Sequence, residues 1–222
     1  PGQGSQKVGM GQDLSHAFAT AREVFEEVDD ALGEKLSTII FDGPDEDLRL
    51  TRNTQPALMA MSMAVARVIE SESGKKITEL AHVVAGHSLG EYSALAAVGA
   101  LSLADTARLL RLRGDAMQQA VPVGKGAMAA LLGADLELAE EIAATAAEGE
   151  VCTLANDNAP GQVVISGAKS AIDRAVAIAS EKGVKKAVLL PVSAPFHCAL
   201  MAPAAEVMAK ALATTDLRDP AV

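Results

Sequence analysis

Gly86-His87-Ser88-Leu89-Gly90 restricts the fold more than any other stretch of the chain. An apolar run, His82-Val83-Val84-Ala85, precedes it, and an Ala-rich stretch from Glu91 to Ala97 follows. The pattern G-x-S-x-G between a strand and a helix allows a turn so tight that the serine hydroxyl stands exposed at a sheet's edge. The two glycines are needed where the backbone passes close to itself, and the helix start aims N–H groups at any developing oxyanion. This one motif therefore predicts a buried strand over 82–85, a helix over 91–97 and a reactive serine at 88.

Around it, the periodicity changes once. Ser15 to Leu32 has helical spacing (Phe18, Ala21, Phe25, Val28) and ends at Gly33, while polar Asp42 to Asp47 reads as a loop. Gln55 to Glu70 reads as a helix with Pro56 in its first turn, and Ser102-Leu103-Ala104-Asp105 as the capping box of a helix running to about Ala120. This alternation points to an α/β layer fold with a parallel sheet. Beyond it, strands at 127–132, 151–155, 162–166 and 185–190 alternate with helices at 136–147 and 170–181. That is the βαββαβ order of a ferredoxin-like unit. The expected division is a large α/β-hydrolase-like subdomain from 1–122 and 191–222, with an inserted ferredoxin-like subdomain at 123–190.

Composition narrows the function classes. The 222 residues are half hydrophobic but only 2% aromatic, so the core must be Ala, Val, Leu, Ile and Met. The same scarcity removes the stacking platforms of single-stranded nucleic-acid binders. A net charge of −10 opposes any phosphate-backbone partner. No apolar run approaches a membrane span and no secretory leader opens the chain, so a soluble, cytoplasmic, monomeric protein is expected. Cys152 and Cys198 fit neither a disulfide framework nor a zinc spacing and read as reduced thiols. The chain starts at Pro1 without Met and stops at Asp219-Pro220-Ala221-Val222, so it is expected to be an incomplete stretch, weakly active or unstable by itself.

A serine nucleophile needs a base, and four histidines are available. His16 lies in a polar helix start, His82 inside the expected strand, and His87 points away from its neighbour on such a turn. His197, in Pro195-Phe196-His197-Cys198, falls on a loop, where it reads either as the base or as a structural histidine. Arg113 borders the apolar stripe Leu103, Ala107, Leu110 and Met117, whereas Arg108 and Arg111 read as solvated. A buried guanidinium calls for an anion, either a substrate carboxylate or a structural acid. Pro1-Gly2-Gln3-Gly4-Ser5 is not a dinucleotide fingerprint, since the third glycine would fall at Lys7, but such a loop can close over an oxyanion.

Together these residues resemble the malonyl-CoA:acyl-carrier-protein transacylases and the related acyltransferase domains of polyketide synthases. The matching pieces are Pro1 to Gln6, Asn53 to Ala57, Gly86 to Tyr92, Arg111 to Gly114 with Met117-Gln118, Ala155 to Asn158 with Pro160 to Gly167, and Val192 to Met201, all in the family's order. The resemblance implies an acylated Ser88, a general base at His197, and an oxyanion hole from the backbone N–H groups of Gln3 and Leu89. It also implies that Arg113 binds the malonyl carboxylate, with Asn158 and Met117 near the site. Phe196 beside His197 is read as narrowing the acyl pocket. Malonyl-CoA and an acyl-carrier protein are then the partners, with no cofactor or metal. The partner is acidic, so a local basic patch is expected, with Lys182, Lys185 and Lys186 or Lys75 and Lys76 as candidates. Two other classes stay open: a serine esterase or thioesterase using Asp157 or Asp173, and a non-catalytic carrier-protein-binding module.

Overall fold

The computed structural model describes residues 1–192 and 194–222, so Ser193 of the Val192 to Met201 motif lies outside the described residues. The chain forms two compact units, Pro1–Asp115 with Met208–Val222, and Ala116–Val207.

The first unit is built from α1 (Gln12–Ala17), α2 (Ala19–Leu32), α3 (Leu36–Asp42), α4 (Asp45–Arg49), α5 (Thr51–Ser73), α6 (Ile77–Leu80), α7 (Gly90–Ala97) and most of α8 (Leu103–Ala120). Its core is aliphatic, as the composition requires: Val28, Leu36, Ile40, Leu48, Met59 and Leu110 are all buried together. Each such burial stabilises by about 1.5–3 kcal/mol. Phe25 and Phe41 add an edge-to-face pair with centroids 4.9 Å apart. The Ser102 cap forms as expected, the Asp105 N–H donating to Ser102 Oγ at 3.0 Å.

In this unit, local structure departs from the sequence reading at four places. Extended backbone at Phe18 (φ −128°, ψ 121°) divides the expected 15–32 helix into α1 and α2. The polar 42–47 stretch is mostly helical, because Asp45, Glu46 and Asp47 fill the first turn of α4, where carboxylates favour the helix dipole. α5 begins four residues before Gln55 and places Pro56 inside it. Its first turn is fastened to α4: Asn53 Nδ2 donates to the Asp47 carbonyl at 2.8 Å and Thr54 Oγ1 to that of Leu48 at 2.5 Å. Those bonds offset the helical bond that Pro56 cannot donate. Finally, 82–85 joins no sheet among the described residues; Val83 is 77% exposed and His82 is exposed, not buried in a strand.

The second unit contains β1 (Gly126–Leu132), α9 (Leu136–Ala147), β2 (Cys152–Ala159), β3 (Gln162–Ala168), α10 (Lys169–Glu181) and β4 (Lys186–Leu189), followed by most of α11 (Ala202–Leu212). The sheet order is β2-β3-β1-β4 with antiparallel neighbours, β1 pairing with β3 from Gly126↔Ala168 to Leu132↔Gln162. Strand alternation makes two cores. Ala129, Leu131, Val163 and Ile165 face Ile142 of α9 and Ile172 of α10. Met128 and Val164, one residue out of phase, face Met117, Phe196 and Met201. The Asn156 to Gly161 segment, which falls between the expected strands 151–155 and 162–166, is mostly strand: register shifts between Leu154 and Asn156 and between Asp157 and Ala159 keep its polar residues in β2. The fold is thus mixed α/β with two subdomains, and all described strands lie in the second unit.

Candidate active site

Ser88 sits at φ 53°, in the left-handed region that non-glycine residues seldom occupy. The turn leaves no room beside it, since a Cβ on Gly86 would lie 1.9 Å from the carbonyl carbon and oxygen of Gly90. Carbonyls of His87, Ser88 and Leu89 accept from the N–H groups of Gly90, Glu91 and Tyr92 at 2.9, 3.1 and 3.1 Å. Leu89 itself is buried at the start of α7. The predicted helix and elbow geometry are therefore present even though the preceding segment is not a sheet strand.

The N-terminal loop lies against this elbow. A Cβ on Gly90 would meet the Pro1 carbonyl at 3.0 Å, and one on Gly2 would meet His87 Nδ1 at 2.6 Å. Ser5 Oγ donates to the Gly2 carbonyl at 2.7 Å and the Gly4 N–H to Gln6 Oε1 at 2.7 Å, closing a tight turn around Gln3. The Gln3 side chain accepts a hydrogen bond from Thr51 Oγ1 at 2.8 Å.

Arg113 reaches the serine. Its Nη1 donates to Gln55 Oε1 at 2.6 Å and its Nη2 to Ser88 Oγ at 3.1 Å. The guanidinium lies 5.8 Å from the Tyr92 ring centroid. Gly114 makes this approach possible: a Cβ there would lie 2.5 Å from Arg52 Cα, so α8 crosses the first turn of α5 backbone to backbone. Burial pulls the Arg113 pKa down, with Tyr92 and then Glu91 opposing that shift. Burial also pushes the Tyr92 hydroxyl up, against the Arg113 charge. Among the described residues Arg113 forms no ion pair, so its partners here are neutral.

Arg111 differs from the sequence reading. Its side chain is only 12% exposed and pairs with Glu34, while Nη1 donates to Asn53 Oδ1 at 2.5 Å. Burial lowers its pKa, and Glu34 is the largest effect in opposition. Arg108 is the solvated one, bonded to Asp105 and to the Ala31 carbonyl. Thr51 and Gln55 had no assigned role; the available signal was two polar residues one helical turn apart beside an apolar run. His16 ends α1 and does not begin a helix.

In the second unit, His197 is exposed at φ 59° on a turn held by the Phe196 N–H donating to the Ala194 carbonyl at 3.1 Å. Pro195 packs so closely on Gly126 that a Cβ there would meet its ring at 2.3 Å, fixing the turn to the start of β1. Phe196 and Met117 are buried in the same apolar cluster, and Asn158 is exposed on β2. Of the candidate lysines, Lys182 is paired with Glu141 at 2.7 Å and Lys76 with Glu70 at 3.4 Å, whereas Lys75, Lys185 and Lys186 are exposed. Among the described residues no group of three His, Cys, Asp or Glu could hold a metal ion, and no helix is long and apolar enough to cross a membrane.

The site thus combines a strained serine at a helix start with a half-buried arginine on its hydroxyl. The family model described as "Acyl transferase domain" matches residues 1–222. The chain belongs to this acyl transferase family. The acyl transferase domain is 48% identical over 222 residues to the malonyl CoA-acyl carrier protein transacylase of Haemophilus influenzae, covering all of this chain and 70% of that protein. It is 61% identical to the crystal structure of acyl-carrier-protein-S-malonyltransferase from Bartonella henselae, with a TM-score of 0.97, covering all of this chain and 70% of that one. A malonyl-transacylase solved in complex with a type II PKS acyl-carrier protein is 44% identical, with a TM-score of 0.94 over all of this chain and 70% of that one.

Proposed function

We propose that this acyl transferase moves the malonyl group of malonyl-CoA to the phosphopantetheine thiol of an acyl-carrier protein, through a malonyl ester on Ser88, supplying fatty-acid synthesis. The observation that carries this reading is the half-buried Arg113 guanidinium, bonded to neutral groups and 3.1 Å from the Ser88 hydroxyl. An acyl group esterified to Ser88 with a carboxylate one methylene beyond its carbonyl places that carboxylate within the fork's reach. The planar guanidinium binds it bidentately, while an acetyl group offers no such partner.

The assigned roles give a two-step, ping-pong mechanism. His197 accepts the Ser88 proton as Oγ attacks the thioester carbonyl. The oxyanion accepts from the N–H groups of Leu89 and Gln3. Collapse breaks the C–S bond, and CoA leaves as the thiol with the proton from His197. In the second step the pantetheine thiol gives its proton to His197 and attacks the ester. The C–O bond breaks, and Ser88 recovers the proton. The resemblance assigns Met117 and Asn158 to the neighbourhood of the acyl group, and Phe196, in one apolar cluster with Met117, to narrowing its pocket. The nucleophile and cation belong to the α/β-hydrolase-like part at 1–122 and 191–222, and Asn158 to the ferredoxin-like part at 123–190. Every step uses groups of the chain and its two substrates, so no cofactor is assigned, and the cytoplasm is the compartment that supplies both substrates.

Mass spectrometry after mixing with malonyl-CoA tests the reading. A malonyl adduct is expected on the Ser88 peptide, absent from Ser88→Ala and discharged by holo carrier protein. No adduct on the wild-type chain overturns the transfer mechanism. Malonate release matching CoA release without carrier protein would make it a hydrolase.

A further inference from the structure

We infer that Thr51 is a positioning residue that ties the Arg113 carboxylate clamp to the Gln3 loop through a single hydroxyl. The inference rests on the proposed malonyl transfer and concerns what holds the two ends of that site in register.

Thr51 and Gln55 are fully buried on the first turns of α5, 0% and 1% exposed. Buried polar groups are costly unless bonded, so their partners matter. The bonds run in one direction. A guanidinium can only donate, so Gln55 must present Oε1 to Arg113, which leaves its Nε2 to donate to Thr51 Oγ1 at 3.0 Å. Thr51 has one hydroxyl hydrogen, and it goes to Gln3 Oε1 at 2.8 Å. The cation at one end therefore dictates the orientation of both amides, and of the hydroxyl between them. Such oriented chains polarise one another in a low-dielectric interior.

The far end of the chain needs this support. Gln3 lies between Gly2 and Gly4, the latter at φ 104°, and the bonds made by Ser5 and Gly4 close the turn without holding the Gln3 side chain. The same loop presents the Gln3 N–H assigned to the oxyanion. Losing the Thr51 hydroxyl would leave the buried Gln55 amide without that acceptor and release the Gln3 side chain together. Both the acyl-carboxylate end and the carbonyl end of the site would loosen.

The rate of Ser88 acylation, followed by quenched-flow mass spectrometry with malonyl-CoA and with acetyl-CoA, tests this. Thr51→Val keeps the side-chain shape and removes the hydroxyl. Its malonylation rate is expected to fall about tenfold to a hundredfold and its acetylation rate by clearly less. Thr51→Ser, which keeps the hydroxyl, is expected to restore most of the rate. Gln3→Met removes the acceptor from a half-exposed loop without threatening the fold, and combining it with Thr51→Val should add little to either change. Wild-type rates in Thr51→Val, equal losses in the Val and Ser variants, equal losses for the two acyl groups, or additive losses in the double variant would each overturn the coupling. If the wild-type chain forms no adduct, the transfer reading itself falls and the inference with it. An adduct on the wild type keeps the two failures apart.

Discussion

Arg113 keeps a charge with only neutral hydrogen-bond partners, and that defines what its removal should do. In Arg113→Ala, malonyl transfer is expected to fall about a hundredfold or more beyond any fall in acetyl transfer, measured as competing kcat/KM values. Arg113→Lys should recover only part of the difference, because one ammonium cannot face both Gln55 and the acyl carboxylate as the planar fork does. At this scale the sequence was uneven. Ser88 was legible because its motif is local, and Arg113 because it interrupts an apolar stripe. Arg111 was misread as solvated, since the groups that take it up, Glu34 and Asn53, are remote in sequence and no periodicity reveals them. Thr51 and Gln55 were quiet for the same reason: their meaning comes from Gln3 and Arg113, which only the fold delivers.

Among the elements, the crossing of α5 and α8 decides where the cation goes. Helix propensity alone says that Gly114→Ala should stabilise α8 by about 1 kcal/mol. The structure gives the opposite sign, because the added Cβ would lie 2.5 Å from Arg52 Cα and 2.8 Å from the Thr51 carbonyl, and backbone cannot step aside. Gly114→Ala is expected to destabilise by about 1–3 kcal/mol in urea unfolding and to lower malonyl transfer, since Arg113 is the adjacent residue. A gain in stability would show that the crossing yields more easily than its spacing implies. Helix ends were the least legible part of the sequence at this scale. Pro56 placed the expected start of α5 too late, because bonds from Asn53 and Thr54 back to α4 carry the helix past the proline. The βαββαβ elements were read in order because β1 and β3 are short apolar runs, buried over most of their length and separated by helical stretches.

At the level of the molecule, each unit has its own aliphatic core, and that of the second unit contains a thiol. Cys152 is buried, and desolvation pushes its thiol from 9.0 up to about 11, with Arg174 opposing the shift. The folded state then holds this proton more tightly than the unfolded chain. The stabilising contribution is complete below about pH 9 and is lost as pH rises from there through about 11. Over that range, amide-exchange protection of β1 and β3 is expected to weaken, and Cys152→Ala should flatten the dependence. An unchanged slope in the variant would assign it to other groups. The scarcity of aromatic residues, first a limit on what could fill the core, has another side, since tryptophan is missing altogether. Tyr92 is the single tyrosine, and its ring lies 5.8 Å from the Arg113 guanidinium. Tyrosine fluorescence from this chain therefore originates at one place, beside the cation, and the chain carries a built-in optical reporter of whatever anion arrives there.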